Sequence, residues 1–420
     1  MTAQLFPSSG QPAILAGMMM LRTLMMLLVL APSLRAENWP RWRGPDGSGL
    51  SSETRLPTRW SPTEQVAWKI EIPGEGSSSP ILWGEKIFLT SARERGRARL
   101  VHCLDSKNGK LLWSRSLECK NPETTSAVTG HAASTPATDG THVVAWFGNA
   151  GVVCFDFAGK QLWHHPFAEF ESELGLASSP ILHDGKVILV CDHDGSRFTS
   201  FDSFLIALDV KTGRELWKTP RPKLERSWST PILVPGKEDK PELIVNAQDG
   251  VRAYDPATGK ELWHQKEKEE RWVTPSPVFG HGLIFATSGK DGPIVALKPG
   301  SGAVAWRQDR GGPYVCSPVL VGDHLYVLLE TGFLLCFEAK TGKQLYRERL
   351  AGKFTSSPAA GAGHIYLTNE AGATFIVRAA AKFELVGQNK LNEYTVASPA
   401  IAAGRLFLRT EKHLFAIGGQ

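Results

Sequence analysis

The stretch LDVKTGRELW, residues 208–217, decides how the chain is organised, because similar stretches occur along its whole length. Close copies are LDSKNGKLLW (104–113), YDPATGKELW (254–263) and FEAKTGKQLY (337–346), and looser copies are FDFAGKQLW (155–163) and LKPGSGAVAW (297–306). A series of such segments at near-regular intervals indicates a fold that is built from one repeated unit.

A second motif recurs in phase with the first and has the forms SSPI, STPA, STPI, PSPV, CSPV, SSPA and ASPA. Its eight copies contain Pro80, Pro136, Pro180, Pro231, Pro277, Pro318, Pro358 and Pro399. The mean spacing of these prolines is about 46 residues, within the length range of a four-stranded propeller blade. The motif therefore predicts eight units.

Each unit reads as four short strands, as residues 178–217 show. Two apolar runs flank the turn pair Asp184-Gly185, FLIALDV gives a third run, and RELWKT follows the Lys-Thr-Gly turn as a fourth. Asp-Gly and Thr-Gly between apolar runs are typical of tight turns between antiparallel strands. The pattern predicts an all-β fold, an eight-bladed β-propeller of four-stranded antiparallel blades.

The aromatic residue that ends each decapeptide falls on the outer strand of its blade. A tryptophan there can bury about 150–250 Å² against the neighbouring blade while its indole N–H reaches a backbone acceptor. We therefore expect a structural, blade-docking girdle formed by Trp68, Trp113, Trp163, Trp217, Trp263, Trp306 and Tyr346.

The two ends of the repeat region complement each other. The last unit, residues 397–420, holds only three strands, whereas QVAWKIEI (65–72) precedes the first Ser-Pro motif and carries Trp68 in the fourth-strand position. Pairing of these N- and C-terminal strands would close the ring and remove two exposed sheet edges.

Residues before the repeats divide into two segments. An apolar run from Leu24 to Ala31 follows Arg22 and ends in small residues, the layout of a secretory signal and too short to span a bilayer. Residues 1–36 are therefore predicted to be a signal peptide, with Met18 to Met20 left open as the true start. Residues 37–64 are aromatic and rich in Gly and Pro, and are predicted to form a strap on the propeller of residues 65–420.

Composition and cysteine positions narrow the function classes. With 47 basic and 42 acidic residues the net charge is +5, too balanced to favour a nucleic-acid partner. Cys103, Cys154 and Cys336 hold the same position in three repeats, which predicts buried residues too far apart to bridge. A Cys103–Cys119 bridge is left open.

The Asp-x-x-Thr-Gly-x-x-x-Trp module resembles the tryptophan-docking repeat of pyrroloquinoline quinone (PQQ) dehydrogenases and of PQQ-like propellers without cofactor, such as the BamB scaffold. The resemblance covers about residues 65–420. For the dehydrogenases it implies a Ca²⁺ ion beside the quinone, an aspartate base and often a pair of adjacent cysteines. This chain has no Cys-Cys pair and no Cys-x-x-Cys-His, so no cofactor is predicted, with PQQ and Ca²⁺ as the alternative.

Two groups of residues are candidates for binding. The loops entering five successive Ser-Pro motifs carry an aromatic residue each, which predicts a rim around one mouth of the central channel, with charged or polar neighbours. The predicted contacts are Trp228, Trp272, Tyr314, Phe354, Tyr394, Arg226, Arg271 and His131. The adjacent Asp192, His193 and Asp194 point to opposite sides of an extended chain, so no metal site is predicted there.

These observations predict an exported, non-catalytic PQQ-like propeller that acts as a monomeric binding scaffold in the periplasm or outside the cell. No membrane span is expected. The partner would be an envelope protein or peptide, a small molecule or a glycan, bound by strand addition or at the aromatic face. The alternatives are a PQQ-dependent alcohol or sugar dehydrogenase and, second, a glycan-binding propeller.

Overall fold

The computed structural model describes residues 37–167, 174–192, 203–222 and 227–419. Within them the chain forms eight four-stranded antiparallel sheets. Three short 3₁₀ turns, Glu94–Gly96, Gly148–Ala150 and Lys237–Asp239, interrupt the strands. The predicted all-β, eight-bladed propeller is confirmed.

Each blade is named here by its order in the ring. Blades 1 to 4 contain, from the inner to the outer strand, β2 (Ile81–Trp83), β3 (Lys86–Arg93), β4 (Ala98–Asp105) and β5 (Leu111–Glu118); β6 (Ala137–Thr138), β7 (His142–Trp146), β8 (Val152–Asp156) and β9 (Gln161–His165); β10 (Ile181–His183), β11 (Lys186–Cys191), β12 (Phe204–Asp209) and β13 (Glu215–Pro220); and β14 (Ile232–Pro235), β15 (Pro241–Ala247), β16 (Gly250–Tyr254) and β17 (Glu261–Lys266).

Blades 5 to 8 follow the same order. They contain β18 (Val278–Gly280), β19 (Leu283–Thr287), β20 (Ile294–Lys298) and β21 (Ala303–Gln308); β22 (Val319–Val321), β23 (His324–Leu328), β24 (Phe333–Glu338) and β25 (Gln344–Arg349); β26 (Ala359–Gly361), β27 (His364–Thr368), β28 (Ala373–Arg378) and β29 (Leu385–Lys390); and β30 (Ala400–Ala402), β31 (Arg405–Arg409), β32 (His413–Gly418) and β1 (Val66–Glu71).

The ring closes through blade 8, in which the first strand of the propeller completes the last sheet. Strand β1 pairs antiparallel with β32, so that Trp68 lies opposite Ala416 and Ile70 opposite Leu414. The inner strand of blade 8, β30, contacts the inner strand of blade 1, β2. The predicted closure by the terminal strands is confirmed.

The hydrophobic core lies in the seams between blades, and an indole crosses most of these seams. Five indole N–H groups donate to a carbonyl of the next blade at 2.7–3.3 Å: Trp68 to Ser106, Trp113 to Phe157, Trp163 to Val210, Trp217 to Pro256 and Trp306 to Ala339. Trp263 differs, because its N–H donates to the carboxylate of Glu242 in its own blade at 3.0 Å. Tyr346 packs edge-on against Phe383 of blade 7.

The repeated glycine lies directly beneath these rings. Gly213 has a φ of +70°, and a Cβ placed on it would lie 2.6 Å from the ring of Trp163. The side chain of Asp209 holds this turn by accepting the N–H groups of Lys211 and Thr212. The decapeptide thus recurs because its aspartate shapes a turn whose glycine admits the indole of the preceding blade.

Residues 37–64 run along the inner strands. Trp39 forms a β-bridge with Leu82 of blade 1, and Leu50 forms one with Ala360 of blade 7. Between them, the carbonyl of Pro40 accepts the N–H of Thr138 in blade 2. Further along, the N–H of Trp60 donates to the side chain of Asn389 at 2.9 Å. The segment therefore joins blades on both sides of the channel.

Two further observations concern single features of the described residues. All six cysteines are free and buried, including Cys103 and Cys119. No helix in the described ranges has the length and apolar character that crossing a membrane requires.

Candidate functional site

The hydroxyl groups that precede the motif prolines form a ring around the propeller axis. In seven successive blade pairs, a backbone N–H of one blade donates to the equivalent hydroxyl oxygen of the next blade. The pairs are Ser79–Thr135, Thr135–Ser179, Ser179–Thr230, Thr230–Ser276, Ser276–Ser317, Ser317–Ser357 and Ser357–Ser398, at 2.8–3.0 Å. Each motif thus links its blade to the next one.

This ring was not inferred from the sequence, although its signal was present there. Every motif proline is preceded by serine or threonine, while the residue before that varies from Pro to Cys and Ala. An invariant hydroxyl beside a variable neighbour indicates that the hydroxyl itself has a partner. Only the register of neighbouring blades identifies the partner, which is a buried backbone N–H.

A cavity of about 370 Å³ lies on the axis beside this ring. Five hydroxyls of the ring line it, namely Ser79, Thr135, Thr230, Ser357 and Ser398. Apolar walls come from Val128, Ala133, Leu174, Ala177, Val315 and Val396, and aromatic ones from Trp42, Trp228 and Tyr314. The volume is in the usual range for a small-molecule site, about 300–1,000 Å³. This cavity is called the axial chamber below.

Residues 42 and 43 separate the axial chamber from the other end of the channel. Trp42 lines the chamber, and the guanidinium carbon of Arg43 lies 5.8 Å from the centre of the Trp42 ring. Arg43 is 1% exposed and donates to the carbonyls of Ser317, Pro318 and Pro358 in blades 6 and 7. Trp42 is therefore the floor of the chamber, and the loops entering the Ser-Pro motifs form its mouth.

Burial of the two arginines of the strap changes their acidity. Desolvation lowers the pKa of Arg43 to about 9 and that of Arg41 to about 10, although Asp46 favours both charged forms. Both guanidinium groups remain protonated at neutral pH. The floor of the chamber is therefore backed by positive charge.

Three of the predicted rim residues meet at the mouth. Trp228 and Tyr314 line the axial chamber, and the indole N–H of Trp228 donates to the carbonyl of Gly175 at 2.9 Å. Trp272 packs edge-on against Trp228 with ring centres 6.2 Å apart, and its side chain is 40% exposed. These three aromatic residues form a partly exposed patch, named here the aromatic mouth.

The other predicted contacts lie elsewhere. Phe354 is fully buried and packs against Phe375 inside the blade, because a phenyl ring has no polar atom to keep in water. Tyr394 is 43% exposed but does not line the chamber. Arg271 turns away to pair with Glu269 at 2.5 Å. Arg226 lies outside the described residues.

His131 belongs to the seam between blades 1 and 2 rather than to the mouth. Its ring packs against Gly96, where a Cβ would come within 2.5 Å of it, and its carbonyl accepts a hydrogen bond from Arg99. Burial, together with the charge of Arg99, lowers the pKa of His131 to about 4. The Arg99 side chain also pairs with Glu123 at 2.8 Å. The carbonyl of His131, rather than its ring, therefore takes part in the Arg99–Glu123 polar network.

The polar stretch around Asp192 has a structural use. The Asp192 carboxylate accepts two hydrogen bonds from Arg221, at 2.8 and 2.7 Å, and both side chains are buried. His193 and Asp194 lie outside the described residues. Within the described ranges, no group of three or more His, Cys, Asp or Glu side chains could hold a metal ion.

The donor groups that the described residues contribute to the axial chamber do not fit a calcium–quinone pair. Calcium takes six to eight oxygen ligands and favours carboxylates. Among the described lining residues Glu330 is the one acid and Lys353 the one base, and a carboxylate oxygen of Glu330 already accepts the N–H of Tyr314 at 3.1 Å. Hydroxyl and apolar groups dominate the rest of the wall.

Among the curated proteins that resemble the chain in sequence are a dehydrogenase and an assembly factor. A polyvinylalcohol dehydrogenase of a Pseudomonas species is 24% identical over 69% of this chain, which spans about half of that protein (51%). The outer membrane protein assembly factor BamB of Burkholderia pseudomallei is 24% identical over 66% of this chain and 68% of its own length.

Solved structures show the same fold. The quinohemoprotein alcohol dehydrogenase of Comamonas testosteroni superposes with a TM-score of 0.70 at 13% identity, covering 91% of this chain and 81% of that one.

The family model described as outer membrane protein assembly factor BamB matches residues 54–245, 247–347 and 290–382. The chain therefore belongs to the family of PQQ-like propellers that this BamB model describes.

Proposed function

We propose that the protein is an exported, non-catalytic PQQ-like propeller that binds a partner or ligand at the aromatic mouth and in the axial chamber. The chamber wall carries this proposal, because it offers hydroxyl and apolar groups and, among its described residues, a single carboxylate at Glu330. Such a wall suits recognition better than metal-assisted hydride removal. The match to the BamB family model supports a scaffold in the cell envelope.

The second candidate is a PQQ-dependent alcohol or sugar dehydrogenase. Its support is the fold shared with the quinohemoprotein alcohol dehydrogenase and the sequence likeness to polyvinylalcohol dehydrogenase. The residues that repeat are packing residues, and a shared fold does not by itself transfer an activity. If the quinone were bound, it would supply the electron acceptor, and Glu330 would be the one carboxylate among the described lining residues to meet it.

Reconstitution separates the two candidates. The purified protein is mixed with PQQ and Ca²⁺ and followed by the absorbance of the quinone and by dye reduction with alcohols and sugars. The proposal predicts neither saturable quinone binding nor dye reduction above the protein-free control. Quinone binding at one per chain with turnover would establish the dehydrogenase instead.

The aromatic mouth supplies a test of binding. Trp272→Ala removes the most exposed ring of the aromatic mouth and is expected to reduce capture of the envelope partner at least tenfold, since central aromatic anchors commonly contribute 2 kcal/mol or more. Leu262→Ala, at an outer-strand residue that is 46% exposed, is the matched control. Parallel screens of envelope peptides and glycans distinguish a protein scaffold from a glycan-binding propeller. Equal capture by both variants would remove Trp272 from the site.

A further inference from the structure

Four hydroxyl groups that line the axial chamber accept a hydrogen bond but donate none within the described part of the chain. Thr135, Thr230, Ser357 and Ser398 each accept a backbone N–H at 2.9–3.0 Å from the preceding blade. In the described part of the chain none of these four hydroxyls donates to a protein acceptor within hydrogen-bond distance. A hydroxyl whose oxygen accepts a hydrogen bond is a stronger donor through its own proton. The chamber therefore presents several polarised O–H donors from different blades to one space.

The charge beneath these donors is positive. Arg43 satisfies its five N–H groups with backbone carbonyls, those of Gly47, Ser48, Ser317, Pro318 and Pro358, and pairs with no carboxylate in the described ranges. Its guanidinium lies behind the Trp42 floor. At the mouth Lys353 pairs with Glu370 at 3.1 Å, so the charges of these two side chains offset each other. The Glu330 carboxylate also lines the chamber and accepts the N–H of Tyr314, so the positive charge is confined to the floor. The donors and the buried cation together favour a negatively charged acceptor deep in the chamber.

The walls above the donors are mainly apolar, and the hydroxyl groups of Thr274 and Thr355 lie among the apolar side chains. Val315 and Val396 face the space together with Trp228 and Tyr314, and Leu174 adds a further aliphatic surface. A polyanion would leave charges against these side chains, which is costly. A molecule with one carboxylate and an apolar body would match both ends of the chamber.

We infer that the axial chamber binds the carboxylate of a small, mainly apolar organic acid, with the carboxylate at the hydroxyls of Ser357 and Ser398 in the neighbouring blades 7 and 8 and the apolar part between Trp228 and Val396. This inference rests on the proposed function, because it takes the chamber as a ligand site, and it specifies the class of ligand.

Calorimetric titration with a named probe tests it on the unaltered protein. The probe is 4-phenylbutyrate, compared at pH 7 with its neutral amide, 4-phenylbutyramide, and with acetate. A charged acceptor makes hydrogen bonds about twice as strong as a neutral one, so the acid is expected to bind at least tenfold more tightly than the amide. Acetate, which lacks the apolar body, is expected to bind at least tenfold more weakly than 4-phenylbutyrate.

Two substitutions in the ring locate the site. Ser398→Ala removes a hydroxyl that lines the chamber and is expected to weaken 4-phenylbutyrate about tenfold. Ser276→Ala is the matched control, because the Ser276 hydroxyl accepts the N–H of Thr230 at 2.8 Å in the same ring but does not line the chamber. The affinity of the Ser276→Ala variant for 4-phenylbutyrate should stay within twofold of that of the unaltered protein. Ser398→Thr keeps the hydroxyl at the same position and provides a second, milder variant that should retain binding.

Three results would overturn the inference: no binding of the acid, equal binding of acid and amide, or equal loss in Ser276→Ala and Ser398→Ala. The comparison of acid with amide needs no variant, so a folding defect cannot obscure it. Failure here leaves the proposed function standing unless PQQ and Ca²⁺ also bind with turnover, which is the separate result that refutes it.

Discussion

Arg43 shows how one side chain can fix a long segment to a repeat fold. Its acceptors in blades 6 and 7 lie 274 to 315 residues away along the chain. A guanidinium suits this position because its five donors spread in a plane and can satisfy several carbonyls at once. The floor of the axial chamber depends on this anchoring, since Trp42 is the adjacent residue.

Arg43→Met is expected to lower the free energy of unfolding by about 2–4 kcal/mol, because buried carbonyls of Ser317, Pro318 and Pro358 lose their donors. Urea denaturation followed by far-ultraviolet circular dichroism measures the change. Arg310→Met, at a side chain that is 81% exposed, should alter stability by less than about 0.5 kcal/mol. Similar losses in both variants would show that Arg43 does not anchor the segment.

At the same scale, the sequence predicted the positions of aromatic residues better than their exposure. Trp228 and Tyr314 line the chamber, whereas Phe354 is buried although it too precedes its proline by four residues, like Tyr314. The loops before the prolines have no fixed period, so residue spacing cannot tell which side of the loop faces the channel. Arg43 was missed because nothing in RWRGPDGSG indicates partners hundreds of residues away.

At the scale of elements, each seam between blades is built mainly from a turn of one blade and the indole of the preceding blade that packs on it. The glycine of this turn meets two separate requirements. Its backbone must adopt a left-handed conformation, and it must leave room for the indole ring of the preceding blade. They can be separated, because Gly213 meets Trp163 whereas Gly185, with a similar φ of +72°, has nothing within 4 Å of its Cβ position.

Gly185→Ala is expected to cost about 1 kcal/mol for the left-handed backbone alone. Gly213→Ala should cost about 2–4 kcal/mol, since its Cβ would also displace the Trp163 ring. Urea midpoints give both values, and the indole fluorescence should change only in the second variant. Equal costs would mean that the ring moves aside without loss.

The sequence was most informative about these elements. Turn residues, apolar runs and the terminal aromatic recur in every copy, so the strand order and the girdle could be read from local patterns. The exception, Trp263, belongs to a seam in which Lys298 replaces the turn aspartate and Glu242 accepts both the indole and the N–H of Gly300. Because Glu242 lies on a different strand from the turn, no local sequence pattern indicates that it replaces the turn aspartate as the acceptor.

At the scale of the whole molecule, ring closure depends on an ionic contact as well as on strand pairing. Glu393 accepts hydrogen bonds from Lys69 of β1 at 2.7 Å, from Thr410 at 2.7 Å and from His413 of β32 at 2.8 Å. Partial burial raises the pKa of Glu393, but these three hydrogen bonds outweigh it and hold the pKa at about 2. The carboxylate thus stays charged in the folded protein at pH values where it would be protonated in the unfolded chain.

Because the pKa of Glu393 is lower in the folded state than its ordinary value of about 4.3, its contribution is complete above that value and is lost as the pH falls toward 2. Glu393→Gln should therefore destabilise the protein at pH 7 and flatten the decline in stability between about pH 4.3 and 2. Thermal melting across this range measures both effects. Parallel curves for the two proteins would exclude Glu393 as a contributor to acid sensitivity.

Closure itself could be predicted, because the chain lacks one strand at its end and supplies one before its first Ser-Pro motif. The axial chamber could not, since it arises from residues of the strap and of most blades that meet only when the ring is formed. It is the place where we propose that a ligand binds.

A crystal structure of the protein soaked with 4-phenylbutyrate would test most directly whether ligands enter the axial chamber. The expected result is density for the carboxylate beside the hydroxyls of Ser357 and Ser398, with the phenyl group next to Trp228. Density at another surface, with the chamber unchanged at a concentration that saturates the protein in solution, would contradict the assignment of function to the propeller axis.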